Sequence, residues 1–230
     1  MDVASRLIVA LDTVDVDGAR RWADAVSPHA GLLKLGLEFF LANGAAGFAA
    51  ITGAPIFLDL KLHDIPATVA GGVRAVLPLK PRMLSIHASG GPAMIQAAHQ
   101  TAASAGPDRP MILAVTVLTS LGQDDLAAVG VAGTPVEQVL RLGRLAVEAG
   151  ADGLVCSPLE VAPLRQALGS AVKLVVPGIR PAGSAADDQH RTMTPAQAIA
   201  AGADWIVVGR PITSASDPGT SAADIAASIR

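Results

Sequence analysis

The chain is poor in aromatic residues: it has no tyrosine, two tryptophans and four phenylalanines. That scarcity excludes the platform of stacked rings on which proteins bind single-stranded nucleic acid. Cysteine is rarer still. A lone Cys156 cannot form an internal disulfide framework or a metal site of several thiolates, and it suits a reducing cytoplasm. Charge is sparse and nearly balanced, with 16% of residues charged and a net charge of −3. Neither a basic footprint for nucleic acid nor an acidic solvating tail is therefore expected. No apolar run approaches the length that spans a bilayer. The opening Met1-Asp2-Val3-Ala4-Ser5-Arg6 lacks the apolar region of a signal peptide. What is abundant is apolar bulk: 51% of the 230 residues are hydrophobic, enough for one domain around a large core.

That bulk is distributed in a pattern. Eight short apolar runs occur, at Leu7–Leu11, Leu32–Leu35, Ile56–Leu60, Met83–Ile86, Met111–Val117, Gly153–Val155, Leu174–Val176 and Trp205–Val208. Near-continuous runs of this length read as parallel strands buried on both faces. Helical patterns lie between most of them. Ala19, Trp22, Ala23 and Val26 share one helix face, as do Val69, Val73, Val76 and Leu77. Thr134-Pro135-Val136-Glu137 and Thr194-Pro195-Ala196-Gln197 are capping boxes with proline in the first helical turn. Ala149-Gly150-Ala151-Asp152 also recurs as Ala201-Gly202-Ala203-Asp204, each copy leading into a strand run. With no linker in sight, residues 1–230 are expected to form a single-domain α/β (β/α)8 TIM barrel.

In such a barrel the chemistry sits at the C-terminal ends of the strands. The richest stretch there is Asp59-Leu60-Lys61-Leu62-His63-Asp64, in which strand alternation points Asp59 and Lys61 the same way. Buried charges are costly unless paired, and a purely structural ion pair is weakly explained by stability. Asp64 could cap the following helix without losing a catalytic role. Lys34 interrupts an apolar strand, and Asp12, just after the first strand, reads equally as a helix cap or a functional group. His63 is expected to face away from Asp59 and Lys61, and His87 to end the fourth strand near the site. His29, His99 and His190 show no metal-ligand spacing, so no metal is expected. Gly178-Ile179-Arg180 and Gly209-Arg210 follow the last two strand runs, where these barrels often bind phosphate. Glycine allows close backbone approach and arginine a forked, charge-assisted contact. The intervening Pro181–Arg191 segment is long enough to act as a lid.

Together these residues identify the chain as resembling the orotidine 5′-phosphate decarboxylase family, bacterial type. The carriers are Val9-Ala10-Leu11-Asp12, Lys34-Leu35-Gly36, Phe57-Leu58-Asp59-Leu60-Lys61-Leu62-His63-Asp64-Ile65-Pro66, Leu118-Thr119-Ser120, Pro177-Gly178-Ile179-Arg180, Asp187-Asp188-Gln189 and Val208-Gly209-Arg210-Pro211. The resemblance covers essentially the whole chain. It implies conversion of orotidine 5′-monophosphate to uridine 5′-monophosphate in pyrimidine biosynthesis, without metal or cofactor.

The resemblance also implies roles. Lys61 would stand beside pyrimidine C6 and donate the proton there, with Asp59 beside the substrate carboxylate. Lys34 and Asp64 would complete an alternating array. Asp12 and Lys34 would hold the ribose, and Thr119 or Ser120 the pyrimidine. Gln189 would bridge base and phosphate, while Arg180, Gly209 and Arg210 would bind the phosphate region. Asp64 and Thr68 would reach the neighbouring subunit's site, which implies a homodimer. Ala67 departs from the asparagine common among bacterial relatives. The Asp-x-Lys-x-x-Asp core alone also resembles magnesium-dependent sugar-phosphate decarboxylases, and a non-catalytic nucleotide-binding barrel is a third reading.

Overall fold

The computed structural model describes residues 6–181 and 192–229. Its strands are β1 (Leu7–Ala10), β2 (Leu32–Gly36), β3 (Ile56–Leu62), β4 (Met83–His87), β5 (Met111–Val115), β6 (Gly153–Val155), β7 (Lys173–Val176) and β8 (Trp205–Val208). Each pairs in parallel with its sequence neighbours, and β1 pairs with β8, so the sheet closes into an eight-stranded barrel. The (β/α)8 expectation holds, and every strand lies within two residues of its apolar run. The helices are α1 (Val16–Val26), α2 (Leu37–Ala50), α3 (Pro66–Val76), α4 (Gly91–Ala103), α5 (Gln123–Ala128), α6 (Pro135–Glu148), α7 (Val161–Leu168), α8 (Pro195–Ala200), α9 (Arg210–Thr213) and α10 (Pro218–Ser228). Among the described residues, none is long and apolar enough to cross a membrane.

Strand parity divides the hydrophobic residues into two populations. Leu7, Val9, Leu33, Leu35, Leu58, Leu84, Ile112, Leu154, Val176 and Ile206 point outward and pack beneath the helices. Ile8, Ala10, Leu32, Phe57, Met83, Leu113, Val175, Trp205 and Val207 point inward and fill the barrel's interior. Continuing the inward column on the first strands toward their C-terminal ends replaces apolar side chains with polar ones. Lys34 stands two residues beyond Leu32, Asp59 beyond Phe57 and Ser85 beyond Met83, all three buried. One period-two alternation thus builds both the apolar plug and the charged mouth above it.

Local signals explain the connections. Thr134 and Thr194 are N-caps with both halves of the capping box formed. Asp15, rather than Asp12, caps α1 by accepting the Asp17 N–H at 3.0 Å. The repeated Ala-Gly-Ala-Asp segment clasps the opposite end of the barrel. Asp152, ahead of β6, accepts the Ile112 N–H of β5 at 2.8 Å and pairs with Arg109. Asp204, ahead of β8, accepts the Leu174 N–H of β7 at 2.9 Å and pairs with Arg165 and Lys173. Each aspartate ties its own strand to the preceding one, so the echo is a structural device. Gly150 and Gly202 hold positive φ values of 99° and 112° at the ends of the preceding helices, a conformation that side chains resist.

Close packing inside the barrel sets one requirement at β6. A Cβ on Gly153 would lie 2.6 Å from the Lys173 carbonyl oxygen, which backbone pairing holds in place. Gly153→Ala is expected to cost about 1–3 kcal/mol, a drop of several degrees in Tm measurable by calorimetry. An unchanged Tm would show that β6 and β7 can separate without penalty.

Candidate active site

Of the four residues expected in the alternating array, Asp59, Lys61 and Lys34 meet at the mouth of the barrel. Asp59, on β3, is 7% exposed and receives Lys61 Nζ on its Oδ2 at 2.7 Å. Lys34, on β2, is 9% exposed, with Nζ 3.7 Å from the same oxygen and 2.9 Å from Asp12 Oδ1. The chain of charges therefore reads Asp12, Lys34, Asp59, Lys61. Since Asp15 holds the helix cap, Asp12 is left to pair with Lys34. Asp64 does not join the array within this chain. It lies exposed beyond β3, its Oδ1 accepting the Ile65 N–H at 2.6 Å, and Ile65 occupies the N-cap of α3. Thr68 is likewise exposed, in the first turn of α3.

The array lines a cavity of about 260 Å³. Phe57, Val115, Val155 and Val207 give it apolar walls, and Thr119, Arg180, Gly209 and Arg210 contribute from the loops after β5, β7 and β8. Of the two pyrimidine candidates, Thr119 lines this cavity and the exposed Ser120 does not. Arg180 is positioned by a return of the chain, its N–H donating to the Met193 carbonyl at 3.0 Å. Gly209 precedes the short helix α9, and a Cβ on it would stand 3.8 Å from Asp12 Oδ2, so the last loop closes against the first. Gln189 and residues 182–191 of the expected lid lie outside the described residues.

Electrostatics keep the pair at the bottom charged. Burial alone would push the Asp59 carboxyl up, but Lys34, Lys61 and the hydrogen bonds from Lys61 and Ser85 together hold it below the usual carboxylate range. Burial likewise opposes the Lys34 ammonium, and Asp59 and Asp12 more than offset it, raising its pKa. Cys156, also in the cavity wall, is pushed well up by burial and by Glu160, so it stands as a neutral thiol. His87 is pushed below its ordinary value by burial, by His63 and by Lys61. The His63 and His87 ring centroids are 5.2 Å apart, with His63 exposed beyond β3. Among the described residues, no group of three or more His, Cys, Asp or Glu side chains is arranged to hold a metal ion.

Sequence reasoning missed Ser85. This fully buried residue donates from Oγ to Asp59 Oδ1 at 2.7 Å and accepts the Lys61 N–H at 2.9 Å. The available signal was parity: a hydroxyl at an inward position of a strand whose neighbours are apolar.

The depressed Asp59 carboxyl has a consequence for stability. Its contribution is complete above the ordinary carboxylate range, near about pH 4, and is lost as pH falls through the lower folded-state value. Asp59→Asn should therefore show a shallower loss of stability below about pH 5 than the unaltered chain. Urea unfolding at several pH values measures this, and equal slopes would contradict it.

Comparison with known proteins agrees with this geometry. Residues 5–225 match the family model described as orotidine 5′-phosphate decarboxylase / HUMPS family. The orotidine 5′-phosphate decarboxylase of Gluconobacter oxydans is 58% identical over 222 residues, 95% of this chain and 94% of that protein. That of Thermobifida fusca is 52% identical, covering 99% of this chain and 97% of its own. The crystal structure of orotidine 5′-phosphate decarboxylase from Lactobacillus acidophilus superposes with a TM-score of 0.86 at 38% identity, over 97% of this chain and 98% of that one. With a matching barrel, a charged mouth and full-length relatives, the chain belongs to the orotidine 5′-phosphate decarboxylase / HUMPS family.

Proposed function

We propose that this chain decarboxylates orotidine 5′-monophosphate to uridine 5′-monophosphate in pyrimidine biosynthesis, as the names of its relatives indicate. The observation that carries the reading is the arrangement of one cavity. Lys61 and Asp59 stand at its charged end, and Arg180 and Arg210 line it from the last two loops. Departure of carbon dioxide from C6 leaves an electron pair in the plane of the pyrimidine, where the ring π system cannot spread it. The Lys61 ammonium stabilises that developing charge and then transfers a proton to C6. Asp59 holds Lys61 and faces the departing carboxylate. Lys34 and Asp12 hold the ribose hydroxyls and Thr119 contacts the base. Arg180, Gly209 and Arg210 receive the phosphate, and Gln189 bridges base and phosphate.

Binding of the remote phosphate matters because enzymes lower barriers by on the order of 8–23 kcal/mol, more than one ion contact supplies. Interactions far from the reacting carbon can be used to fix its geometry and exclude water. No step of this route calls for a metal or organic cofactor.

The second site component comes from a homodimer. Asp64 and Thr68 lie exposed on either side of Ile65, Pro66 and Ala67, and Ile65 is 67% exposed. An apolar side chain flanked by the two residues assigned to a neighbour's site supports their insertion across an interface. A cytoplasmic location fits the single buried Cys156.

The first test is loss of ultraviolet absorbance by orotidine 5′-monophosphate with purified protein in EDTA. Conversion is expected, and Lys61→Ala should lower turnover by roughly 10²–10³-fold or more while uridine 5′-monophosphate still binds. No conversion by folded protein would overturn the reading in favour of a magnesium-dependent sugar-phosphate decarboxylase or a binding-only barrel. The shared site predicts complementation: Lys61→Ala and Asp64→Ala subunits are each impaired, yet each mixed dimer keeps one intact site. Absence of regained activity in proven heterodimers would refute the exchange.

A further inference from the structure

Strand β3 does not run evenly into the site. Its register with β4 holds at Phe57↔Met83 and Leu58↔Leu84, then resumes at Leu62↔Ile86. Residues 59, 60 and 61 therefore stand opposite a single β4 residue, Ser85. A bulge of this kind kinks the strand, disrupts the ladder and re-aims side chains. Lys61 lies in it with φ of 51°, a positive value uncommon for a residue with a side chain. Both charged residues at the reacting end of the cavity, Asp59 and Lys61, are inside this irregular segment.

Ser85 closes the bulge. Its hydroxyl accepts the displaced Lys61 N–H at 2.9 Å, in place of a strand carbonyl, and donates to Asp59 Oδ1 at 2.7 Å. With Oδ1 so engaged, Oδ2 is left toward Lys61 Nζ at 2.7 Å and Lys34 Nζ at 3.7 Å. A ring of contacts results, running from the Lys61 backbone through Ser85 and Asp59 to the Lys61 ammonium. One hydroxyl uses its donor and an acceptor site to satisfy the buried Asp59 carboxylate and the partly buried Lys61 N–H. Ser85 is fully buried and does not line the cavity.

We infer that Ser85 is a positioning residue for the decarboxylation proposed above: its hydroxyl holds the β3 bulge and so fixes the Asp59 carboxylate and the Lys61 ammonium relative to the reacting carbon. The inference rests on that reading of the site. It distinguishes Ser85 from a packing residue, because an apolar side chain of similar size would fill the same space but leave both partners unsatisfied.

Steady-state kinetics of the unaltered chain and its S85A, S85T and S85V variants test this, with Tm measured for each. Threonine and valine are nearly equal in volume, and threonine alone retains the hydroxyl. S85A should lower kcat by about 10–100-fold, as misplacement of reacting groups does, with KM within about threefold. S85T should retain at least roughly tenfold more kcat than S85V at comparable Tm. An S85A kcat within about twofold of the unaltered enzyme, or equal losses in S85T and S85V, would overturn the inference. A crystal structure of S85A supplies a readout independent of turnover. Lys61 Nζ should leave its place beside Asp59, and an unmoved Lys61 with the same φ would overturn the inference. Failure of the unaltered protein to turn over would instead defeat the decarboxylase reading, leaving that structure to judge the bulge.

Discussion

The site depends on one carboxylate, Asp59, shared between two ammonium groups inside a barrel. Removing charges from water costs several kcal/mol per ion, and only close partners with good hydrogen bonds offset it. Asp59 has two hydrogen-bonded partners, Lys61 and Ser85, with the Lys34 ammonium 3.7 Å away as a further opposite charge. Lys34, nearly as buried, is hydrogen-bonded to Asp12 and faces Asp59. Neither lysine nor aspartate is an independent choice, since deleting Asp59 would leave two cations facing each other across the same space. The electrostatic order of the array follows from this mutual dependence.

The barrel makes such an arrangement possible by separating its layers. Parity places Ile8, Leu32, Phe57, Met83 and Val175 in the interior plug, while the next inward positions on the early strands bear the polar groups. Apolar burial thus supports the mouth from below. At the opposite end, Asp152 and Asp204 clasp adjoining strands with their arginine and lysine partners. Charge is therefore used twice: at one end it ties strands together, where the carboxylates accept backbone N–H groups. At the other it is concentrated around a cavity. The contrast is visible in the partners, since Asp59 accepts from side chains alone among its described hydrogen bonds.

Much of this was legible in residue order because the dominant signals are local. Continuous apolar runs mark doubly covered strands, and the two threonine capping boxes mark helix starts whose hydrogen bonds form as expected. The pairing of Asp59 with Lys61 followed from strand alternation, although the path to it is less regular than alternation assumes. What was hidden depends on neighbours across the sheet. The bulge at Lys61 is a mismatch in register between β3 and β4, and no pattern within β3 announces it. Ser85 escaped for the same reason, its importance arising from the residues opposite. Asp12 and Asp15 illustrate a nearer ambiguity: both could cap α1, and the strand end carries Asp12 to Lys34 while Asp15 takes the cap. Thr119 and Ser120 likewise differ only in which one the loop turns into the cavity.

The proposed chemistry explains why rigidity should be concentrated at β3. A carbanion at C6 has its charge in one direction, so an ammonium stabilises it only from the ring plane and at close range. A lysine side chain has many rotamers, and a salt bridge at its tip leaves the base of the chain free to vary. Holding the backbone of Lys61 in a left-handed turn removes that freedom at its origin, while Asp59 restrains the ammonium at the other end. Lysine is thereby made to act less like a flexible surface cation and more like a fixed charge, which requires little reorganisation as charge develops. The uncommon backbone conformation and the paired buried carboxylate are then two parts of one device, and together they define where the Lys61 ammonium stands.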